Sequence, residues 1–79
     1  EVKIKFDLYQ KSLSKRELET LELICSQRTT AEIADQLHIS PRTVEGHRKK
    51  LLEKTGCKNI AGLVIYGIQT KIVQVAFDL

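Results

Sequence analysis

The chain opens on strict alternation. Val2, Ile4, Phe6 and Leu8 are separated by Lys3, Lys5 and Asp7, the period of a half-buried strand. The last segment, 72–79, is again apolar and β-branched, and both tails carry Phe-Asp-Leu. The pattern predicts two short strand-like tails, which would need a helix to lie on because an isolated two-stranded ribbon is marginal in water.

Between the tails the period changes to that of helices, and four are predicted. Ser14 is the expected N-cap of the first, with Glu17 three residues on completing a capping box and Leu13 and Leu18 forming a staple. That helix runs to about Ser26, with Leu18, Leu21, Ile24 and Cys25 on a broad apolar face. The second is short, capped by Thr29 or Thr30, and buries Ile33, Ala34 and Leu37. His38-Ile39-Ser40 leaves room only for a tight turn. Ser40 caps the third helix, and Pro41 stands at its first position, where a missing N–H does no harm. Gly56 supplies a left-handed stop near Thr55, with Cys57 as the apolar contact beyond it. Asn59 caps the fourth helix, Ile60 to about Thr70. The expected class is therefore all-α, a four-helix domain with a helix-turn-helix at its centre. The expected parts are a linker or strand-like segment at 1–12, the helix-turn-helix domain at 13–73 and a tail at 74–79.

Seventy-nine residues allow only one core. Apolar residues at 42% and charged residues at 29% argue for a folded rather than disordered chain. No apolar run approaches ~18 residues, so no membrane span is expected, nor is there a secretory leader. The expected location is the cytoplasm, and the start at Glu1 reads as a piece of something longer. Cys25 and Cys57 read as reduced core thiols. With His38 and His47 they show no paired ligand spacing, so no metal or other cofactor is expected.

The charge of +3 is unevenly placed. Residues 14–39 are net −2. Residues 40–58 hold six basic and two acidic side chains, net +4. A basic stripe on one element suits a polyanionic partner, although a solvated helix face would look the same. Angular positions along the third helix sharpen this. With Arg42 at zero and about 100° per residue, Val44, Leu51 and Thr55 share the core-facing side. Arg42, Gly46, Lys49 and Glu53 lie opposite, flanked by Glu45 and Lys50. A helix in the major groove offers the N-terminal part of its outer face to base edges. Those positions are Arg42, Glu45, Gly46 and Lys49. Lysine and arginine suit guanine O6 and N7, and glutamate can accept from cytosine N4. Arg48, Lys50 and Lys54 are placed for phosphates, with Thr43 adding a hydroxyl. Gly46 either lets the backbone approach the groove or is a tolerated small residue on an exposed face. His47, at the border of the core stripe, is either structural or a phosphate contact.

The run from Leu13 to Val73 resembles the LuxR-type (NarL/FixJ-type) helix-turn-helix domain of bacterial transcription regulators. The motifs are Leu13-Ser14-x-Arg16-Glu17, Glu32-Ile33-Ala34-x-x-Leu37-x-Ile39-Ser40, Thr43-Val44-Glu45-x-His47 and Lys54-x-Gly56. The resemblance implies binding to double-stranded DNA with the third helix in the major groove. It implies base contacts from Glu45, Gly46 and Lys49, and backbone contacts from Thr30, Thr43, His47, Arg48 and Lys50. It further implies a homodimer through the fourth helix, for which Leu63, Val64 and Gly67 are the candidates, and an upstream receiver or sensing domain. The chain departs from the family pattern in four places. Ser26-Gln27-Arg28 lacks the glycine common before the second helix, and Lys71 stands near another common glycine. Ala31 and Glu45 occupy positions that are often lysine.

Two other classes compete. A protein-interaction module would use the fourth helix and the tails, and is disfavoured by the basic stripe. A sigma-factor-like region shares the helix-turn-helix but fits the Thr43-to-His47 run and the Gly56 ending less well. An enzyme is not expected, because no nucleophile, base and acid set stands out and there is no Gly-rich phosphate loop.

Overall fold

The computed structural model describes residues 13–72, so the strand-like tails expected at either end lie outside the described residues. Within them the chain is four helices and no strand: α1 (Lys15–Cys25), α2 (Thr30–Leu37), α3 (Pro41–Thr55) and α4 (Ile60–Gln69).

Each helix begins where side-chain chemistry tells it to. Ser14 Oγ accepts from the Glu17 N–H at 3.1 Å, and Glu17 Oε1 accepts from the Ser14 N–H at 2.9 Å. The reciprocal pair satisfies two otherwise orphaned donors. Thr29 and Glu32 repeat the arrangement at α2, with distances of 3.2 and 2.8 Å. Ser40 caps α3 with Pro41 inside it, and Asn59 caps α4.

The helix ends are less ordinary. Gly56 closes α3 at φ 74°, as its lack of a Cβ permits. Gln27 (φ 64°), His38 (φ 59°) and Lys71 (φ 61°) occupy the same left-handed region with full side chains. Beyond Gln27 the Arg28 N–H donates back to Leu23 O at 3.1 Å. Beyond His38 the Ile39 N–H donates to Ala34 O at 3.0 Å. Two of these positions, Gln27 and Lys71, lie where the sequence departs from a common glycine.

The core lies where the four helices meet. Leu21, Ile33, Val44, Leu51, Leu63 and Tyr66 have no exposed surface, and Leu13, Ile24 and Ala34 complete the buried set. α1 packs on α3 and α4, while α2 packs chiefly on α3. α3 is therefore held from behind by its apolar stripe, and its opposite side is left open. Among the described residues every buried side-chain nitrogen or oxygen has a partner. Cys25 is half-buried with Sγ 4.0 Å from Val64 O. Burial, aided by the nearby Glu22 carboxylate, pushes its thiol above the ordinary value, so it is a packing group rather than a ready thiolate.

Candidate nucleic-acid interface

The outer face of α3 is built by default. Val44, Leu51 and Thr55 turn inward, so the positions half a turn away must face out. Arg42, Thr43, Glu45, Gly46, Lys49 and Lys50 are all exposed, while His47, Arg48 and Lys54 are half-buried. α3 stands as a ridge between two open clefts. One is lined by Glu45, Arg48, Lys49, Leu52 and Ile60. The other is lined by Thr43, Gly46, His47, Lys50 and Lys54 of α3 together with Ser14 and Glu17 at the start of α1. A Cβ built on Gly46 meets nothing within 4 Å, so a small residue is not required there by packing.

The cations on this face divide by what they already hold. Arg42, Lys49 and Lys50 make no ion pair with any described residue. Lys54 is different. Its Nζ donates to Glu17 Oε1 at 2.8 Å, across from α1. Sequence spacing places Lys54 against a phosphate; the fold gives its ammonium to a carboxylate only 5% exposed. A buried carboxylate demands such a partner. Burial alone pushes the Glu17 carboxyl up. The Lys54 hydrogen bond, the Ser14 N–H and the Lys54 charge together outweigh it and hold the group below its usual 4.5. One residue thus caps α1 and anchors the end of α3.

Arg48 is also engaged. Its Nη1 donates to Thr30 Oγ1 and lies 3.3 Å from Glu45 Oε2. Thr30 Oγ1 in turn donates to the same Glu45 oxygen at 2.8 Å. Three residues that the sequence nominates separately therefore form one cluster, linking the first turn of α2 to the middle of α3. The i,i+3 spacing of Glu45 and Arg48 is visible in the sequence. The contribution of Thr30, fifteen residues before Glu45, is set by the packing of α2 on α3. Two further features were not foreseen: the Glu17–Lys54 pair and the left-handed backbone at the non-glycine positions Gln27, His38 and Lys71.

The fourth-helix candidates sort differently from expectation. Leu63 has no exposed surface, Gly67 is buried and Val64 is half-buried. Leu63 packs in the chain's own core, and only Val64 of the three keeps much surface. The apolar groups α4 does present outward are Ile65, 55% exposed, and Ile68, 41% exposed. With so many apolar residues on α4, periodicity alone could not separate the inner side from the outer. His38, Cys25, Cys57 and His47 do not converge, and among the described residues no group of three or more metal-ligating side chains does.

Comparison with known proteins now bears on this ridge. Residues 11–67 match the family described as bacterial regulatory proteins, luxR family. The chain belongs to that family. The relatives it matches include the oxygen regulatory protein NreC of Staphylococcus aureus strains JH9, JH1 and USA300, each 42% identical over 64 residues. The match covers 81% of this chain but only 30% of theirs. The matched stretch of this luxR-family chain therefore spans less than a third of the length of those relatives. No helix among its described residues is long and apolar enough to cross a membrane.

Proposed function

We propose that this luxR-family chain is the sequence-specific double-stranded-DNA-binding output domain of a bacterial transcription regulator, with α3 lying in the major groove. The observation that carries this reading is the outer face of α3. It is exposed and basic, is held rigidly from behind, and includes three cations with no described acidic partner. In this reading Arg42, Glu45, Gly46 and Lys49 face base edges. Thr43, His47 and Lys50 serve the sugar-phosphate backbone, which sets register without reading sequence, while Thr30 and Arg48 are already engaged with Glu45. Lys54, already held by Glu17, acts on α3's placement more than on phosphate.

The match covers only 30% of the relatives' length, which supports placing this domain after a receiver or sensing domain in a two-component response regulator of the cytoplasm. The relatives' name ties them to oxygen regulation; the input of this protein would belong to that other part. A homodimer on two half-sites fits a helix-turn-helix reader. Ile65 and Ile68, with Val64 beside them, are the surface for it.

Selection from random duplexes, followed by binding in a salt titration, tests the reading. Affinity for the selected duplex should fall steeply with salt as counterions are released. Lys49→Ala should change which sequence is preferred. Lys50→Ala should weaken all sequences alike and reduce the salt slope by about one. If neither change affects binding to the best duplex, α3 is not the reading helix.

The exposure of Ile65 and Ile68 also favours a second reading, a protein-interaction module. Association that ignores salt, with no shift of any nucleic acid, would support it instead.

A further inference from the structure

We infer that Thr30 and Arg48 are positioning residues for base reading by Glu45, a role that rests on the DNA-binding reading above. The geometry of the cluster carries the inference. Glu45 has two carboxylate oxygens, and Oε2 receives the Thr30 hydroxyl at 2.8 Å and the Arg48 guanidinium at 3.3 Å. Oε1 takes part in neither interaction. The Glu45 side chain is 58% exposed while Arg48 is 24% exposed. The carboxylate is thus held at one oxygen, and the other, on a side chain more than half exposed, is left out of the cluster.

Held this way, Glu45 solves two problems that a lone glutamate on DNA would face. The first is charge. A carboxylate entering the groove is repelled by the phosphates on both sides, and a guanidinium 3.3 Å away offsets it. The second is order. A long exposed side chain loses rotamer freedom on binding; one already fixed at Oε2 has less to lose, and its remaining oxygen is preset. Oε1 can then accept from a donor such as cytosine N4 while rejecting the acceptor edges of guanine and thymine. A hydroxyl has one proton to give. While the Thr30 proton is given to Glu45, Thr30 cannot also donate to a phosphate. Its part in recognition is therefore exerted through Glu45.

Two roles that simple affinity would confuse are separable here. If Thr30 serves a phosphate, removing its hydroxyl weakens every duplex equally. If Thr30 positions Glu45, removing its hydroxyl flattens preference at one base pair. The experiment uses the whole 79-residue chain and its selected duplex. Comparing wild type with Glu45→Gln on the four base variants at each position locates the pair whose preference depends on Glu45. Thr30→Val removes the hydroxyl at constant shape, and Thr30→Ser restores it. Thr30→Val should then reduce preference at that pair by about three- to tenfold, the worth of one hydrogen bond. It should leave preference elsewhere unchanged, and Thr30→Ser should retain the wild-type pattern. Arg48→Lys, which keeps the charge but not the planar fork, should flatten the same pair.

Uniform weakening of all duplexes by Thr30→Val, or no change at the Glu45-dependent pair, overturns the positioning role while leaving DNA binding intact. Full retention of preference at every pair by Glu45→Gln also overturns it. A wild-type chain that selects no duplex at all overturns the DNA reading itself, and this inference with it. Amide exchange in the α1 and α4 cores identifies a variant that has merely failed to fold.

Discussion

Single residues carry strain and charge that composition does not reveal. Gln27 holds φ at 64°, where an L side chain is unfavourable by roughly 1–2 kcal/mol. Part of that is returned as reduced freedom of the unfolded chain. Gln27→Gly should therefore stabilise the domain by about 0.5–1 kcal/mol, read as a raised urea midpoint with unchanged slope. Glu17 works in the opposite direction, as a source of stability with a pH limit. Its carboxyl is held below the usual 4.5 by Lys54 and Ser14 against the push of burial. The folded state therefore favours the ionised form, and this contribution is fully present above about pH 4.5. It is lost as pH falls below that, through the depressed value. Glu17→Gln should lower stability near neutrality by about 1–2 kcal/mol, as expected for a hydrogen bond to a charged group. It should also flatten the acid limb of a stability-versus-pH curve. An unaltered limb would assign that slope to other carboxylates. The capping role of Glu17 was legible because its partner Ser14 is three residues away. Its ion pair was not, because Lys54 arrives from 37 residues along the chain.

At the scale of elements, the four helices were legible almost to the residue. Ser14, Ser40, Pro41, Gly56 and Asn59 are local signals that act within one turn, and each stands where its chemistry places it. The cap of α2 was narrowed to two threonines; Thr29 takes it because only Thr29 has a glutamate three residues on. The inward stripe of α3 followed equally well, since Val44, Leu51 and Thr55 are its only buried positions. The outward side of α4 was not legible, because its apolar residues surround it. α3 also gives a prediction in which stability and binding diverge. Gly46 sits mid-helix with open space around its Cα. Gly46→Ala should stabilise the fold by about 0.5–1 kcal/mol through helix propensity alone. If α3's backbone approaches a groove at this position, the same methyl should weaken binding to the selected duplex. Thermal denaturation and a duplex titration on one variant check both halves.

The whole molecule shows what a net charge of +3 conceals. Of the basic side chains behind the +4 of residues 40–58, Arg48 is paired with Glu45 inside the stretch and Lys54 with Glu17 from outside it. Arg42, Lys49 and Lys50 are what the ridge has left to offer a polyanion. The exposed face of α3 was thus legible as a surface. Its internal wiring was not, because that depends on how α1 and α2 pack against α3. The same scale governs assembly. Ile65→Asp with Ile68→Ser should leave the monomer core intact, since both side chains lie outward. It should abolish concentration-dependent self-association in sedimentation, and lower affinity for a two-half-site duplex far more than for a single half-site. Equal loss on both duplexes would place the dimer interface elsewhere.

The vacancy around Gly46 has a consequence for how such a regulator changes over generations. Most positions that touch a target also touch the scaffold, so altering the target risks the fold. Here the centre of the exposed ridge is blank: a Cβ added at Gly46 meets nothing within 4 Å. If α3 reads DNA as proposed, a single codon change there gives the domain a new address on the genome while the framework that presents it stays as it is.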